Sequence, residues 1–171
     1  MISAEDTEMT AYAPVPPAKP QALSGFVQIY LEELDGPALD WAVAQAAGIK
    51  VQIESPQHQN LARAYRVTSR GLIPFRPSTD WAHAGPLLRE YQVALNPEAH
   101  YGDEGTETSE RWIANIYYSG GDQYTTEPAR NELVALCRAV VVTKFGDWVS
   151  VPVELSVAPE PGYPRTDAAE L

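Results

Sequence analysis

Positive charge and thiols are both scarce in this chain. Only 12 lysines and arginines face 23 acids, giving a formal net charge of −11. That balance excludes non-specific binding to DNA or to anionic membranes, where basic patches supply the affinity. It leaves room for a small anionic ligand, because surface charges farther apart than about 8 Å are screened and one local arginine can dominate a pocket. The single cysteine, Cys137, excludes an intramolecular disulfide, fits a reducing compartment and reads as a small core residue. The three histidines, His58, His83 and His100, lie far apart with no i, i+4 pair, so no metal centre is expected. No stretch is apolar enough to span a bilayer. The start lacks a basic segment followed by an apolar run, so no secretory signal is expected. A nucleophile elbow, a phosphate-binding loop and a dinucleotide fingerprint are missing as well, and no cofactor is implied.

Prolines, by contrast, are plentiful and cluster near both ends. Residues 1–24 hold Pro14, Pro16, Pro17 and Pro20 without apolar periodicity, and residues 156–171 mix Pro159, Pro161 and Pro164 with acids. Both segments read as disordered. The span 25–155 then forms one compact domain with a modest core. Phe26–Leu31 is β-branched and aromatic, the pattern of a strand. Asp35 or Gly36 can cap a helix with Pro37 in its first turn and Gly48 at its end. In that helix Leu39, Val43 and Ala46 or Ala47 share one face, with Trp41 on another. Ile49–Glu54, Ala62–Thr68, Leu87–Leu95, Trp112–Tyr118 and Trp148–Leu155 read as further strands. Asn96–Glu110 reads as a mobile loop. A second helix is expected from about Glu127 to Phe145, capped by Thr126, with Pro128 in its first turn and Gly146 as its stop. Its apolar stripe is Leu133, Leu136, Cys137, Val140 and Val141. Strands without crossover helices indicate an α+β fold, a mostly antiparallel sheet with two main helices.

Arg76 to Pro86 holds the densest chemistry. Two hydroxyls, a carboxylate, an imidazole, an indole and a guanidinium fall within eleven residues bounded by prolines. Pro77, Gly85 and Pro86 are expected to interrupt regular structure, and a few placed polar groups beside apolar ones suit a small ligand. Trp81 and Trp41 can stack on a base, a contact worth roughly 1–3 kcal/mol, although ordinary core packing also accounts for Trp41. Arg76, Arg70 and Arg89 can grip phosphate or ribose oxygens with the guanidinium fork. Ser78 and Thr79 can contact a ribose or phosphate, and Asp80 a base amine or ribose hydroxyl. Asp80 or His83 can also serve as a general acid or base. Of the paired rings Tyr117 and Tyr118, one faces the core and one is available for contact; Tyr118 is taken as the candidate. The plain structural alternative is a turn in which Ser78, Thr79 or Asp80 bonds local backbone.

Three segments together resemble a small family of tailed-bacteriophage proteins called NinX, long described as a domain of unknown function. They are Leu34–Ala44 (LDGPALDWAVA), Pro77–Leu88 (PSTDWAHAGPLL) and Glu132–Asp147, the last followed by Val149-Ser150-Val151-Pro152. The resemblance covers roughly residues 26–155. The chain departs from the family pattern in its long proline-rich start, its extended Gln52–Arg70 segment, and Ala84 where the family often has glycine. The resemblance implies a phage gene product acting in the host cytoplasm and dispensable for building virions. It implies no mechanism. Small phage proteins often counter bacterial immunity, some by sequestering a nucleotide messenger, so the leading expectation is a non-catalytic binder of a cyclic nucleotide or cyclic ADP-ribose type signal. Such a protein is expected to be a homo-oligomer. The alternatives are an acidic interaction protein that inhibits a host enzyme and a hydrolase that cleaves the messenger.

Overall fold

A computed structural model describes residues 25–55, 62–102, 105–118 and 121–156. The two proline-rich ends and His58 lie outside the described residues. Strand β1 (Phe26–Tyr30) leads through a short 3-10 turn at Leu31–Glu33 into helix α1 (Gly36–Ala46). A three-stranded sheet follows, formed by β2 (Val51–Glu54), β3 (Arg63–Thr68) and β4 (Gly71–Pro74). Helix α2 (Trp81–Glu90) then leads to a second three-stranded sheet of β5 (Ala94–Gly102), β6 (Gly105–Tyr118) and β7 (Asp122–Thr125). Helix α3 (Glu132–Phe145) and strand β8 (Trp148–Pro152) complete the order. β8 returns to pair antiparallel with β1, with Ile29 opposite Val149. Every pairing between the described strands is antiparallel, and the fold is α+β.

The core forms around α3. Asn131 caps this helix, its Oδ1 accepting the Val134 N–H at 2.9 Å, and Gly146 ends it at φ 68°. All positions from Leu133 to Val142 are buried. The helix is therefore enclosed on every side, by α1, α2, β5 and β6, rather than on one stripe. Cys137 lies fully buried in it, and burial pushes its thiol well above the ordinary range. α1 starts where its sequence indicates: Asp35 Oδ1 accepts the Gly36 N–H at 2.6 Å, and Pro37 occupies the first turn. Gly36 has φ 53°, a left-handed conformation that glycine adopts without a Cβ penalty.

Four sequence expectations fail here in whole or in part. Leu87–Leu95 is strand only at Ala94 and Leu95, where β5 begins, and the run through Gly85 and Pro86 is not irregular: residues 81–90 form α2, a third helix. The Asp80 cap starts it, and Ala84 and Leu87 bury one face at helical spacing, which outweighs the N–H lost at Pro86. Asn96–Glu110 is not a loop. Its backbone pairs as a long β5–β6 hairpin, from Ala94 opposite Asn115 to Gly102 opposite Gly105, with an irregularity between Pro97 and Ala99. The last helix does not begin near Glu127 under a Thr126 cap. Residues 126–129 instead run beside β6: Thr126 Oγ1 accepts the Ala114 N–H at 2.9 Å, and Trp112 and Ala129 exchange bonds of 2.9 and 2.8 Å. Backbone satisfied by a ladder has no need of a helix, so α3 begins at the next capping side chain.

Candidate ligand-binding site

The segment between β4 and α2 is held from below by side chains that face inward. Phe75 is buried and its N–H bonds to Ala64 O at 2.9 Å, so the segment leaves the sheet at a fixed point. Pro77 and Ser78 are fully buried, and the Thr79 N–H closes a turn on Arg76 O at 3.2 Å. The Ser78 N–H crosses to α1, donating to Asp40 Oδ1 at 2.8 Å. Asp40 is only 5% exposed, and its carboxyl is pushed up to about 6. Burial is the main cause; the Ser78 amide and the Arg76 charge hold the shift back. The Ser78 hydroxyl also lies near this carboxylate and favours its ionised form, yet Oγ makes no hydrogen bond of normal geometry among the described residues. This buried tether joins the first two of the three NinX-like segments.

Above the tether the polar groups turn outward. Asp80 caps α2, its Oδ1 accepting the Ala82 N–H at 2.9 Å. His83 Nδ1 accepts the Arg76 N–H at 3.2 Å, and in that geometry Nε2 carries the ring proton. The other Asp80 oxygen lies 3.8 Å from the same nitrogen. The imidazole leans on Phe75, with ring centroids 5.7 Å apart. Trp81, in the first turn of α2, is 45% exposed, a large share for an indole on a rigid helix. Arg76 and Thr79 are exposed beside it in the chain. The structure thus joins the Arg76 backbone, Asp80 and His83 through direct contacts, with Thr79 and Trp81 exposed next to them in the chain. Ser78 belongs to the buried foundation.

The remaining candidates lie elsewhere. Arg70 sits in the β3–β4 turn, where its N–H donates to Thr68 Oγ1 at 3.2 Å. Arg89 is in the last turn of α2, eight residues and about 12 Å of helix rise from Trp81. There it lines a depression of about 470 Å³ with Gly85, Pro86 and Glu90. Trp41 is half-buried against the core, its ring 6.3 Å from that of Phe26. Tyr118 packs partly buried on the core, and the ring left outside is Tyr117, at 66% exposure. Among the described residues no three His, Cys, Asp or Glu side chains cluster as metal ligands, and no helix is long and apolar enough to cross a membrane.

The sequence reading passed over Asp40. The signal was present, since Val43 and Ala44 follow it at helical spacing and a carboxylate on that face must be buried. No curated protein matches the chain. A family model, described as bacteriophage P22, NinX, matches residues 31–144, from the turn after β1 to the end of α3. That span contains the α1 segment, the Asp40–Ser78 tether and the outward surface at Trp81, and the chain belongs to the phage P22 NinX family.

Proposed function

We propose that this phage protein is an anti-defence factor that binds a nucleotide-derived immune signal, of the cyclic nucleotide or cyclic ADP-ribose type, and withholds it in the host cytoplasm without cleaving it. The observation that carries the reading is the exposed indole of Trp81 at the start of α2, adjacent in the chain to the contacting group of Arg76, Asp80 and His83. An indole face takes a purine, a guanidinium takes a phosphate, and a carboxylate accepts from a base amine or a ribose hydroxyl. The Asp40–Ser78 tether supports the same reading, because a binding surface loses less entropy when its loop is already fixed.

Sequestration calls for nanomolar affinity, about −12 kcal/mol. One stack, at roughly 1–3 kcal/mol, and one arginine fall well short of that. The reading therefore includes a homo-oligomer in which two copies enclose the ligand, the usual symmetric solution. A second reading, an acidic protein that docks on a host enzyme, draws on the net charge of −11.

Incubation with a radiolabelled messenger, followed by heating and chromatography, separates the possibilities. A sponge retains the label and returns it intact. A hydrolase returns product, and a protein-docking factor retains nothing.

A further inference from the structure

A second cleft lies at the start of α1, and its lining includes no residue of the Arg76–Pro86 segment. It has a volume of about 360 Å³, and three arginines, Arg111, Arg130 and Arg138, reach it from β6, from the segment before α3 and from α3 itself. Glu32, Asp35 and Glu127 complete its polar wall. Three of only 12 basic residues in a strongly acidic chain thus converge on one depression.

Among the described residues each guanidinium makes one hydrogen bond. Arg138 is 9% exposed and donates from Nε to Leu34 O at 3.2 Å. Arg130 donates from Nη2 to Asp35 Oδ1 at 2.8 Å, and Arg111 from Nη2 to Pro128 O. Five N–H donors are available to each arginine, so most of this donor capacity is unused among the described residues. Arg138 in particular is a buried cation with no carboxylate at ion-pair distance among the described residues, and its desolvation lowers its pKa.

The acids are not a counter-ion set for all three. Asp35 is engaged by the Gly36 amide and Arg130. Glu32 is raised first by burial and then by repulsion from the nearby Glu127 charge, while Arg138 pulls it back, and neither glutamate makes a side-chain hydrogen bond or ion pair among the described residues. A simple anion would meet this repulsion. A ligand with an oxyanion head and neighbouring hydroxyls would satisfy both halves of the wall.

We infer that the cleft between Arg111, Arg130, Arg138, Glu32 and Glu127 binds a small polyhydroxylated anion, the oxyanion on the arginines and the hydroxyls on the glutamates. Its head is a phosphate ester or a carboxylate. The test uses the full chain labelled with ¹⁵N, with the arginine Nε–Hε resonances as reporters. Ribose 5-phosphate, gluconate and inorganic phosphate are titrated separately at constant ionic strength.

Saturable shifts of the Arg138 and Arg111 signals are expected with ribose 5-phosphate or gluconate, and the tighter of the two assigns the head. Inorganic phosphate, lacking hydroxyls, is expected to bind at least several-fold more weakly. Arg111→Gln, at an exposed position, is expected to weaken binding about tenfold, the loss of a charge-assisted hydrogen bond. Absence of saturable shifts with all three probes overturns the inference. So do shifts that are equally large at the outlying Arg66, Arg70 and Arg89, or binding that Arg111→Gln leaves unchanged. The wild-type titration stands without any variant, and its failure leaves the Trp81 surface untouched.

Discussion

Replacing Asp40 by asparagine is expected to stabilise the protein at neutral pH and to change little in acid. The carboxyl rises from its ordinary 3.8 to about 6 on folding because it is almost completely buried. At 1.36 kcal/mol per pH unit, the ionised group costs the fold about 3 kcal/mol relative to the unfolded chain. Its folded pKa is raised, so the native state holds a proton that the unfolded state has lost between pH 3.8 and about 6. Stability from this group therefore falls as pH rises through that window and stays low above it. Asparagine removes the charge but keeps a carbonyl oxygen where the Ser78 N–H donates at 2.8 Å, so no amide is orphaned. Urea unfolding of both proteins across the window measures the effect. The stability difference is expected to be near zero at about pH 4 and to reach about 3 kcal/mol at about pH 7, or roughly 10 °C in Tm. A variant less stable than wild type at neutral pH, or one with the same pH profile, would refute the reasoning. Either result would mean that the fold compensates the Asp40 charge fully.

Two further predictions concern the scaffold. Asn131→Ala removes the side chain that accepts the Val134 N–H, and thermal melting should show a loss of about 1 kcal/mol. Leu136→Ala opens a cavity in the middle of the enclosed helix α3, where the side chain is fully buried, and chemical denaturation should show a loss of about 2–5 kcal/mol.

Local punctuation was legible in the sequence wherever the neighbouring chain did not compete with it. Asp35-Gly36-Pro37 starts α1 and Gly146 stops α3, as their side-chain and backbone chemistry dictates. β1 and β8 carry enough β-branched and aromatic residues to be recognised as strands, although nothing local says that they pair with each other across 122 residues, as Gln28 and Ser150 do. Competition explains the failures. Thr126 and Pro128 look like a helix start, yet the nearby β6 offers those residues ladder bonds that no local pattern encodes. Gly85 and Pro86 look like breakers, but burial of Ala84 and Leu87 carries the helix through them. The polar run of 96–110 hides a hairpin, because pairing satisfies backbone whatever the side chains are.

At the candidate site, sequence proximity anticipated that the Arg76 backbone, His83 and Asp80 would meet, since they share one short stretch of chain. It failed for groups that depend on tertiary contacts. The Asp40–Ser78 tether spans 38 residues, and the arginine cleft draws on segments from Glu32 to Arg138. Tyr117 and Tyr118 could not be told apart, since which ring faces outward depends on the register of β6 against its neighbours.

The proposed function stands or falls with binding of a nucleotide-derived signal at the Trp81 surface. Calorimetric titration of the full chain with cyclic dinucleotides and cyclic ADP-ribose isomers, run in parallel on Trp81→Ala, tests it most directly. The account predicts nanomolar binding of one of these ligands by the wild type. It also predicts at least a tenfold loss in the variant, whose melting temperature stays close to wild type because nearly half of Trp81 is already exposed to solvent. Binding that survives the substitution, or no binding across the panel, would contradict it.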